Sequence, residues 1–298
     1  MPDQGKPIVS IGMSVFNASV TVRDALNSVL WQTYPHWELI VLDDGSTDDT
    51  VEIIRTYRDE RIRLFSDGRN LGLAARLNQA IELSQGSLFA RMDADDVAYP
   101  ERLHRQVEFL QDHPEIDLLG SNAVAFAGCG LPLGTFKVGQ THSELCRTPW
   151  NGIGIPHPTW MGRTCWFGKY RYDQKMRRAQ DQELLLRAHE NSRFACLPDV
   201  LLGYRYERAT LKKRMASRYY MARVQAMWGQ QNRRTLPMVQ GVGATLVKAF
   251  LEALAYVFCL TGYLEKRRFA GLTDRIRQDW EKCWIAVSKR DRVSSCVE

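Results

Sequence analysis

Ser87-Leu88-Phe89-Ala90-Arg91-Met92-Asp93-Ala94-Asp95-Asp96 governs how the rest of the chain is read: an apolar run ends in three carboxylates within four positions. Carboxylates crowded this closely repel one another and lose hydration, so they are best tolerated where a divalent cation or a hydrogen-bond donor neutralises them. The stretch therefore reads as a buried strand that delivers a metal site at its C-terminal end. Taken alone, the same residues would serve as a solvated acidic turn before the helix that starts near Pro100; their surroundings favour the metal. A calcium loop of the EF-hand type is excluded, because Val97 and Ala98 stand where an oxygen ligand and a glycine are needed.

The same arrangement precedes it. Residues 8–15 are an apolar run closing on Phe16-Asn17-Ala18, after which Val22, Leu26, Val29 and Leu30 recur at helical spacing. Gln32-Thr33-Tyr34-Pro35 breaks that helix, and residues 37–42 form a second buried strand that delivers Asp43-Asp44-Gly45-Ser46. A helix through Val51, Ile53, Ile54 and Tyr57 follows, capped by Thr47 or Asp48, and then a third strand, 62–65. The turn Asp67-Gly68-Arg69-Asn70-Leu71-Gly72 leads to a helix carrying Leu73, Leu77, Ile81 and Leu83. Strands alternating with helices at these lengths predict a parallel sheet with helices on both faces. Right-handed crossovers put every strand's C-terminal end on one edge, where ligands bind in such sheets. Both acidic clusters, 43–44 and 93–96, fall on that edge.

Beyond a strand at 117–124 the periodicity weakens into a glycine- and proline-rich stretch, 128–158, and long irregular segments within compact domains are usually functional. His157 stands there between two prolines, placed either to face the crevice or to serve as a hydrogen-bonded structural histidine. Trp150, Trp160 and Trp166 could offer a sugar-stacking face, but core packing is the expectation for each. Residues 179–188 predict an amphipathic helix that starts with carboxylates; for Asp181 a helix cap competes with chemistry.

Of the 298 residues, 45% are hydrophobic and 25% charged, an ordinary globular balance that supports one large or two modest domains. The cysteines form no CxxC pair, which predicts reduced thiols in a cytosolic setting and no structural zinc. Met1-Pro2-Asp3-Gln4-Gly5-Lys6 has no signal-peptide pattern, so none is expected. The net charge of +6 conceals an asymmetry: residues 205–298 hold 19 Lys and Arg against 8 Asp and Glu, whereas residues 1–204 hold 21 against 26. Such a basic segment favours anionic lipid, nucleic acid or a phosphate-bearing substrate. Within it, residues 208–234 interleave Arg and Lys with aromatic residues, and 246–264 is apolar except for Lys248, Glu252 and Thr261, ahead of Lys266-Arg267-Arg268. That length approaches a bilayer span, yet Lys248 and Glu252, four apart, share one face. The expectation is a helix lying in the membrane interface or packed on the catalytic domain.

In this order and spacing the motifs resemble the inverting glycosyltransferases of family 2, which have the GT-A fold. The resemblance is carried by Val15-Phe16-Asn17, Asp43-Asp44-Gly45-Ser46, Asn70-Leu71-Gly72-Leu73-Ala74 with Leu77-Asn78, and Ala90-Arg91-Met92-Asp93-Ala94-Asp95-Asp96. Pro100-Glu101-Arg102, His113-Pro114-Glu115-Ile116, Pro156-His157-Pro158-Thr159, Gln180-Asp181 and Leu202-Gly203-Tyr204-Arg205 continue it. It implies an α/β, Rossmann-like, mostly parallel sheet flanked by helices as a catalytic domain over 1–206, with a nucleotide part at 7–126 and an acceptor part at 127–206. Residues 207–298 are left as a basic amphipathic helical tail at the membrane interface. It further implies that Val15, Asn17, Asp43, Asp44, Asn78 and Arg91 surround the donor nucleotide, that Asp93 and Asp95 hold ribose and a Mn2+ or Mg2+ ion, and that Asp181 is the general base. His157 and Arg205 would contact acceptor or diphosphate.

The activity implied is transfer of a single sugar, from a UDP-sugar above other donors, to a glycan or a polyprenyl-diphosphate-linked sugar. Its setting would be bacterial surface-polysaccharide assembly (O-antigen, capsule or exopolysaccharide) at the cytoplasmic face of the plasma membrane. The chain departs from the family where Gln180 precedes Asp181 in place of glutamate, and where no histidine follows Tyr204-Arg205. Gln230-Gln231-Asn232-Arg233-Arg234 lacks the tryptophan of the processive members' Gln-x-x-Arg-Trp signature. A nucleotidyltransferase would need a Gly-rich, basic loop after strand one, and Phe16-Asn17-Ala18-Ser19 is not one. The alternative is a catalytically silent nucleotide-sugar-binding or membrane scaffold protein; Asp95 and Asp181 argue against it, and a turnover assay decides. No nucleic-acid-binding module is recognised in the basic tail.

Overall fold

β1 (Val9–Val15) and β2 (Trp37–Asp43) are buried along almost their whole length, as strands covered on both faces must be. In this computed structural model, which describes residues 8–258, 260 and 269–288, they open an alternating series. α1 (Val22–Leu30) joins them, and α2 (Thr50–Arg55), β3 (Ile62–Ser66), α3 (Leu73–Leu83) and β4 (Leu88–Asp93) follow. β1 pairs in parallel with both β2 and β4, and β2 with β3, so these strands lie in the order β3-β2-β1-β4. This half agrees with the sequence reading element by element.

Past β4 the sheet becomes mixed. β5 (Val97–Ala98), α4 (Arg102–Asp112), β6 (Leu118–Ala127), β7 (Leu131–Thr135), α5 (His142–Leu145), β8 (Met161–Arg163), α6 (Thr164–Lys169), α7 (Gln180–Ala188) and β9 (Phe194–Arg205) complete it. β8 runs antiparallel between β4 and β6, while β9 pairs in parallel with β6 and antiparallel with β5. Antiparallel neighbours need no crossover helix, and the chain between β7 and β8 holds only short helical turns. The stretch 128–158, irregular by sequence, thus contributes β7, α5 and a 3-10 turn at Pro149–Asn151.

Each face of the sheet carries its own core. Leu26 and Val29 of α1, Ile54 of α2 and Leu103, Val107 and Leu110 of α4 cover one side. Leu77 and Ile81 of α3, Trp166 and Phe167 of α6, and Leu184 and Leu185 of α7 cover the other.

The C-terminal residues form α8 (Leu211–Gln231), α9 (Thr235–Val257) and α10 (Asp274–Ser288). Lys266-Arg267-Arg268, the last part of the apolar stretch 246–264, Cys259, Cys296 and the first seven residues lie outside the described residues. α8 and α9 make an antiparallel hairpin closed by an Arg218–Glu252 ion pair of 2.6 Å. The amphipathic pattern expected of the basic segment is divided between them. At 100° per residue, Lys212, Lys213, Arg214, Arg218 and Arg223 fall all round α8, whereas the apolar face belongs to α9.

α10 returns to the sheet. Trp280 is fully buried, stacks at 4.6 Å on Phe126 of β6, and donates its Nε1–H to the Gly130 carbonyl at 2.7 Å. Gly203 of β9 lies beneath it, and a Cβ there would come within 2.2 Å of the indole. The helical tail is therefore tied to the body at its far end.

Candidate active site

The register of the parallel strands lines up the predicted residues. Val15 is opposite Asp43 across β1 and β2, and Ser14 is opposite Asp93 across β1 and β4, so Val15, Asp43 and Asp93 end adjacent strands on one edge. Past Asp93 the chain turns, and one ligand atom each of Asp93, Asp95 and Asp96 lies within 4.8 Å of the others. Burial, reinforced by Asp93, pushes the Asp95 carboxyl up to about 6; burial, then Asp95 and Asp93, push Asp96 well above the usual carboxylate range. Asp96 accepts the Arg205 N–H at 2.9 Å through Oδ1, while its Oδ2 has no partner among the described residues. Three crowded hard oxygen donors fit a Mg2+ or Mn2+ ion. Asp96 thus lies beside the two carboxylates singled out from sequence.

Arg91 is two residues before Asp93 on β4, so the two side chains share a face of the strand and form an ion pair. The guanidinium is 3% exposed, and its Nε and Nη1 have no partner among the described residues. A buried cation with open donors is costly unless something accepts from them.

On the β2 side the acidic pair is engaged by the protein. Asp43 accepts from the Ser46 N–H at 2.9 Å and the Ser66 hydroxyl at 2.7 Å; burial opposes ionisation, but these bonds hold its carboxyl below the usual range. Asp44 accepts from the N–H groups of Leu71 and Gly72, at 2.7 and 3.0 Å, and from Arg76 Nε at 3.0 Å. Arg76 is 1% exposed and also pairs with Asp67 at 2.6 Å. Arg76 was not singled out from sequence; a charge next to the apolar position Leu77 was the available signal. Asn17 adopts a left-handed backbone (φ 49°), which asparagine tolerates. Its Oδ1 accepts from Thr47 N–H at 2.8 Å, joining the loops after β1 and β2.

A cleft of about 670 Å³ opens beside Arg91 and Asp93, and His157, Gln180 and Asp181 also line it. Asp181 sits in the first turn of α7, whose preceding residue, Ala179, has a left-handed backbone (φ 56°). For a non-glycine residue that conformation costs about 1–3 kcal/mol and is held only by its surroundings. Gln182 provides part of the hold, exchanging bonds with the Ile153 N–H and C=O at 2.9 and 3.1 Å. This clamp on the cleft wall was not foreseen.

His157 meets the Tyr172 hydroxyl at 2.8 Å, and burial followed by Arg91 holds its pKa well below the usual imidazole value. Asn78 acts on the same group: its side chain donates to the Tyr172 carbonyl at 2.9 Å and accepts the Tyr172 N–H at 3.0 Å. Asn78 thereby supports the cleft wall through Tyr172. Trp160 and Trp166 are buried in the core, in keeping with packing.

Arg205 is a staple. Its Nε donates to the Asp95 carbonyl at 2.7 Å, Nη1 to the Gly128 carbonyl at 3.2 Å, and Nη2 to Asp24 at 2.8 Å. It joins β9 to the acidic turn and to α1. Lys137, Arg177 and Arg178 are cleft-lining cations with no hydrogen-bond or ion-pair partner among the described residues, and were not singled out from sequence.

Known proteins resemble this chain in sequence and in fold. Over 261 residues the chain is 31% identical to EpsE of Bacillus subtilis (strain 168), a protein named as a glycosyltransferase, covering 83% of this chain and 91% of that one. Over 103 residues it is 36% identical to WfgD of Escherichia coli, a UDP-Glc:alpha-D-GlcNAc-diphosphoundecaprenol beta-1,3-glucosyltransferase, covering 35% of this chain and 41% of WfgD. Among solved structures, Staphylococcus aureus TarS residues 1–349 with UDP-GlcNAc superposes with a TM-score of 0.64 at 19% identity, over 95% of this chain and 82% of that one. The mannosyltransferase PcManGT of Pyrobaculum calidifontis, in complex with GDP-Man and Mn2+, gives 0.59 at 16% identity, over 96% and 87%. The sheet and its flanking helices are those of the GT-A fold. Residues 10–167 match the family described as glycosyl transferase family 2, and the chain belongs to that family.

Proposed function

We propose that the protein transfers one sugar from a UDP-sugar to a hydroxyl of a glycan or polyprenyl-diphosphate-linked acceptor, with inversion, in bacterial surface-polysaccharide assembly. One observation carries this reading: Asp93 at the end of β4 and Asp181 at the start of α7 line a single cleft. In the proposed division, residues 7–126 form the nucleotide part and 127–206 the acceptor part of a catalytic unit over 1–206. Residues 207–298 are a basic extension, of which α10 packs back on that unit. WfgD's named acceptor, a diphosphoundecaprenol-linked sugar, supports a lipid-linked substrate and a site of action on the inner face of the plasma membrane.

In this mechanism Asp181 accepts the proton of the acceptor hydroxyl, and that oxygen bonds to the anomeric carbon from the face opposite the diphosphate. The bond from the anomeric carbon to the diphosphate oxygen breaks, its electron pair leaving with the nucleoside diphosphate, so one displacement inverts the centre. Asp93 and Asp95, with Asp96 beneath them, would hold a Mn2+ or Mg2+ ion, which when bound neutralises charge on the departing diphosphate. Arg91 offers its open N–H groups to the donor. Val15, Asn17 and Asn78 shape the nucleotide side, while Asp43 and Asp44 act through the turn and loop they hold. Lys137, Arg177 and Arg178 suit an anionic acceptor, and His157 completes the wall.

Calorimetric titration of UDP, GDP and dTDP, with and without Mn2+, tests the donor half. Wild type is expected to bind UDP in a metal-dependent way, with Asp95→Ala weakening it at least about tenfold. Asp181→Asn should retain that binding and lose transfer. Failure of every nucleotide to bind folded protein would remove the catalytic reading.

A further inference from the structure

α9 carries an apolar face that nothing in the described structure covers. With Gly243 between them, Leu236, Val239, Val247, Phe250, Leu254 and Val257 succeed one another on one side of the helix. They are 37–71% exposed. At 1.5 Å per residue the stripe is about 30 Å long, and a contiguous exposed apolar face of this kind marks an interaction site. The opposite face is fixed to the body. Thr245 donates to Gln225 Oε1 at 3.0 Å, and Gln225 donates to the Trp150 carbonyl at 2.8 Å. Gly241 lets α9 approach the body, since a Cβ there would come 3.0 Å from that same carbonyl.

We infer that this stripe inserts into the interface of an anionic lipid bilayer, with α9 lying in the membrane plane. Charge selects this occupant over a second copy of the chain. Residues 211–257 hold eight Lys and Arg against one acid, Glu252, and that acid is paired with Arg218. Two such hairpins face to face would set like charges together, whereas anionic headgroups complement them. Lys212, Lys213, Arg223 and Lys248 are all exposed on the hairpin.

The same packing argues against a span, although α9 is long and apolar enough for one. α9 is bound along its length to α8, and crossing the bilayer would draw Arg218 and Arg223 into hydrocarbon. An in-plane helix leaves them at headgroup level, where long basic side chains are at ease. Ser217 of α8 lines the catalytic cleft, so docking by this hairpin sets the cleft's rim at the lipid surface. The inference deepens the proposed function by placing acceptor capture there, but the docking itself does not depend on that reading.

The test is flotation of the full chain with vesicles of phosphatidylcholine alone and of phosphatidylcholine mixed with phosphatidylglycerol, at low and high salt. Light scattering reports the oligomeric state, and the nucleotide titration is run on the same samples. Wild type should float with the anionic vesicles and less so as salt rises. Phe250→Asp/Leu254→Asp, at exposed positions, should lose that binding by at least about tenfold, with its circular dichroism and nucleotide binding unchanged. Lys212→Glu/Lys213→Glu should reduce the salt-sensitive part. Flotation of the stripe variant equal to wild type, or no flotation of wild type, overturns the inference. So does a wild-type dimer that the stripe variant dissolves, which would assign the face to a second copy. Vesicle binding without nucleotide binding would leave docking intact and remove the catalytic reading alone.

Discussion

His157 is enclosed by Tyr172, Trp160 and the Arg91 side of the cleft, so a proton on its ring meets both burial and a fixed positive charge. The folded state therefore keeps the imidazole neutral under conditions where the unfolded chain, at an ordinary value near 6.5, takes up a proton. The sign follows: between those two values the unfolded state binds more protons, so stability is full above about pH 6.5 and falls as the pH drops below it. Such a group makes stability fall progressively as the pH drops from about 7.5 to about 5.5. Asp95, pushed up to about 6, works in the opposite sense, because its proton is taken up more readily by the folded state. The contribution of His157 is thus read from a difference. His157→Gln keeps a polar partner for Tyr172, and urea unfolding at the two pH values should show wild type losing about 1 kcal/mol more than the variant. Equal losses in the two proteins would mean that the folded state takes up this proton as readily as the unfolded chain.

Among the elements, α10 has an effect on the sheet that is greater than its length suggests. Trp280 fills the space above Gly203 and against Phe126, and its N–H satisfies the Gly130 carbonyl. Burying an indole of this kind contributes about 3–5 kcal/mol. Trp280→Ala should lower stability by about that amount in chemical denaturation. Gly203→Ala should destabilise by about 1–3 kcal/mol through overpacking; an unchanged midpoint would show that the indole moves aside freely. The contrast with β1 to β4 explains what could be read from the sequence. Those strands are joined by helices that follow at once, so apolar runs, caps and acidic ends give their order and put Asp43 and Asp93 on one edge. β8 is three residues long and has no period to read. β9 is interrupted at Pro198-Asp199, where its register with β6 shifts. The Arg205 staple, the Gln182 clamp and the seat of Trp280 are contacts between residues far apart in sequence, and no local pattern announces them.

For the whole molecule, the motif-bearing residues and the residues needed to fold are different sets. Residues 1–206 hold every site residue named from sequence, but Val97, Val124 and Phe126, all fully buried, share a cluster with Trp280, Cys283 and Val287 of α10. Asn27 of α1 also donates to the Val287 carbonyl at 3.3 Å. Ending the chain at 206 would expose that apolar surface and leave Asn27 and the Gly130 carbonyl without these partners. It would also uncover the face of α7 on which Val224 and Trp228 of α8 pack beside Leu186, next to the turn that carries Asp181. Exposed apolar area costs about 25 cal/mol per Å², and a typical domain's margin is only about 5–15 kcal/mol. The expected outcome is that a 1–206 fragment aggregates, or melts without a cooperative transition, while the full chain unfolds in one step. Size-exclusion chromatography and thermal circular dichroism of the two proteins check this. A monomeric fragment melting within a few degrees of the full chain would make the C-terminal helices an attachment to a self-sufficient enzyme. A fragment that fails to fold makes them part of the catalytic body, so that whatever surface they bind is held in fixed geometry to the cleft.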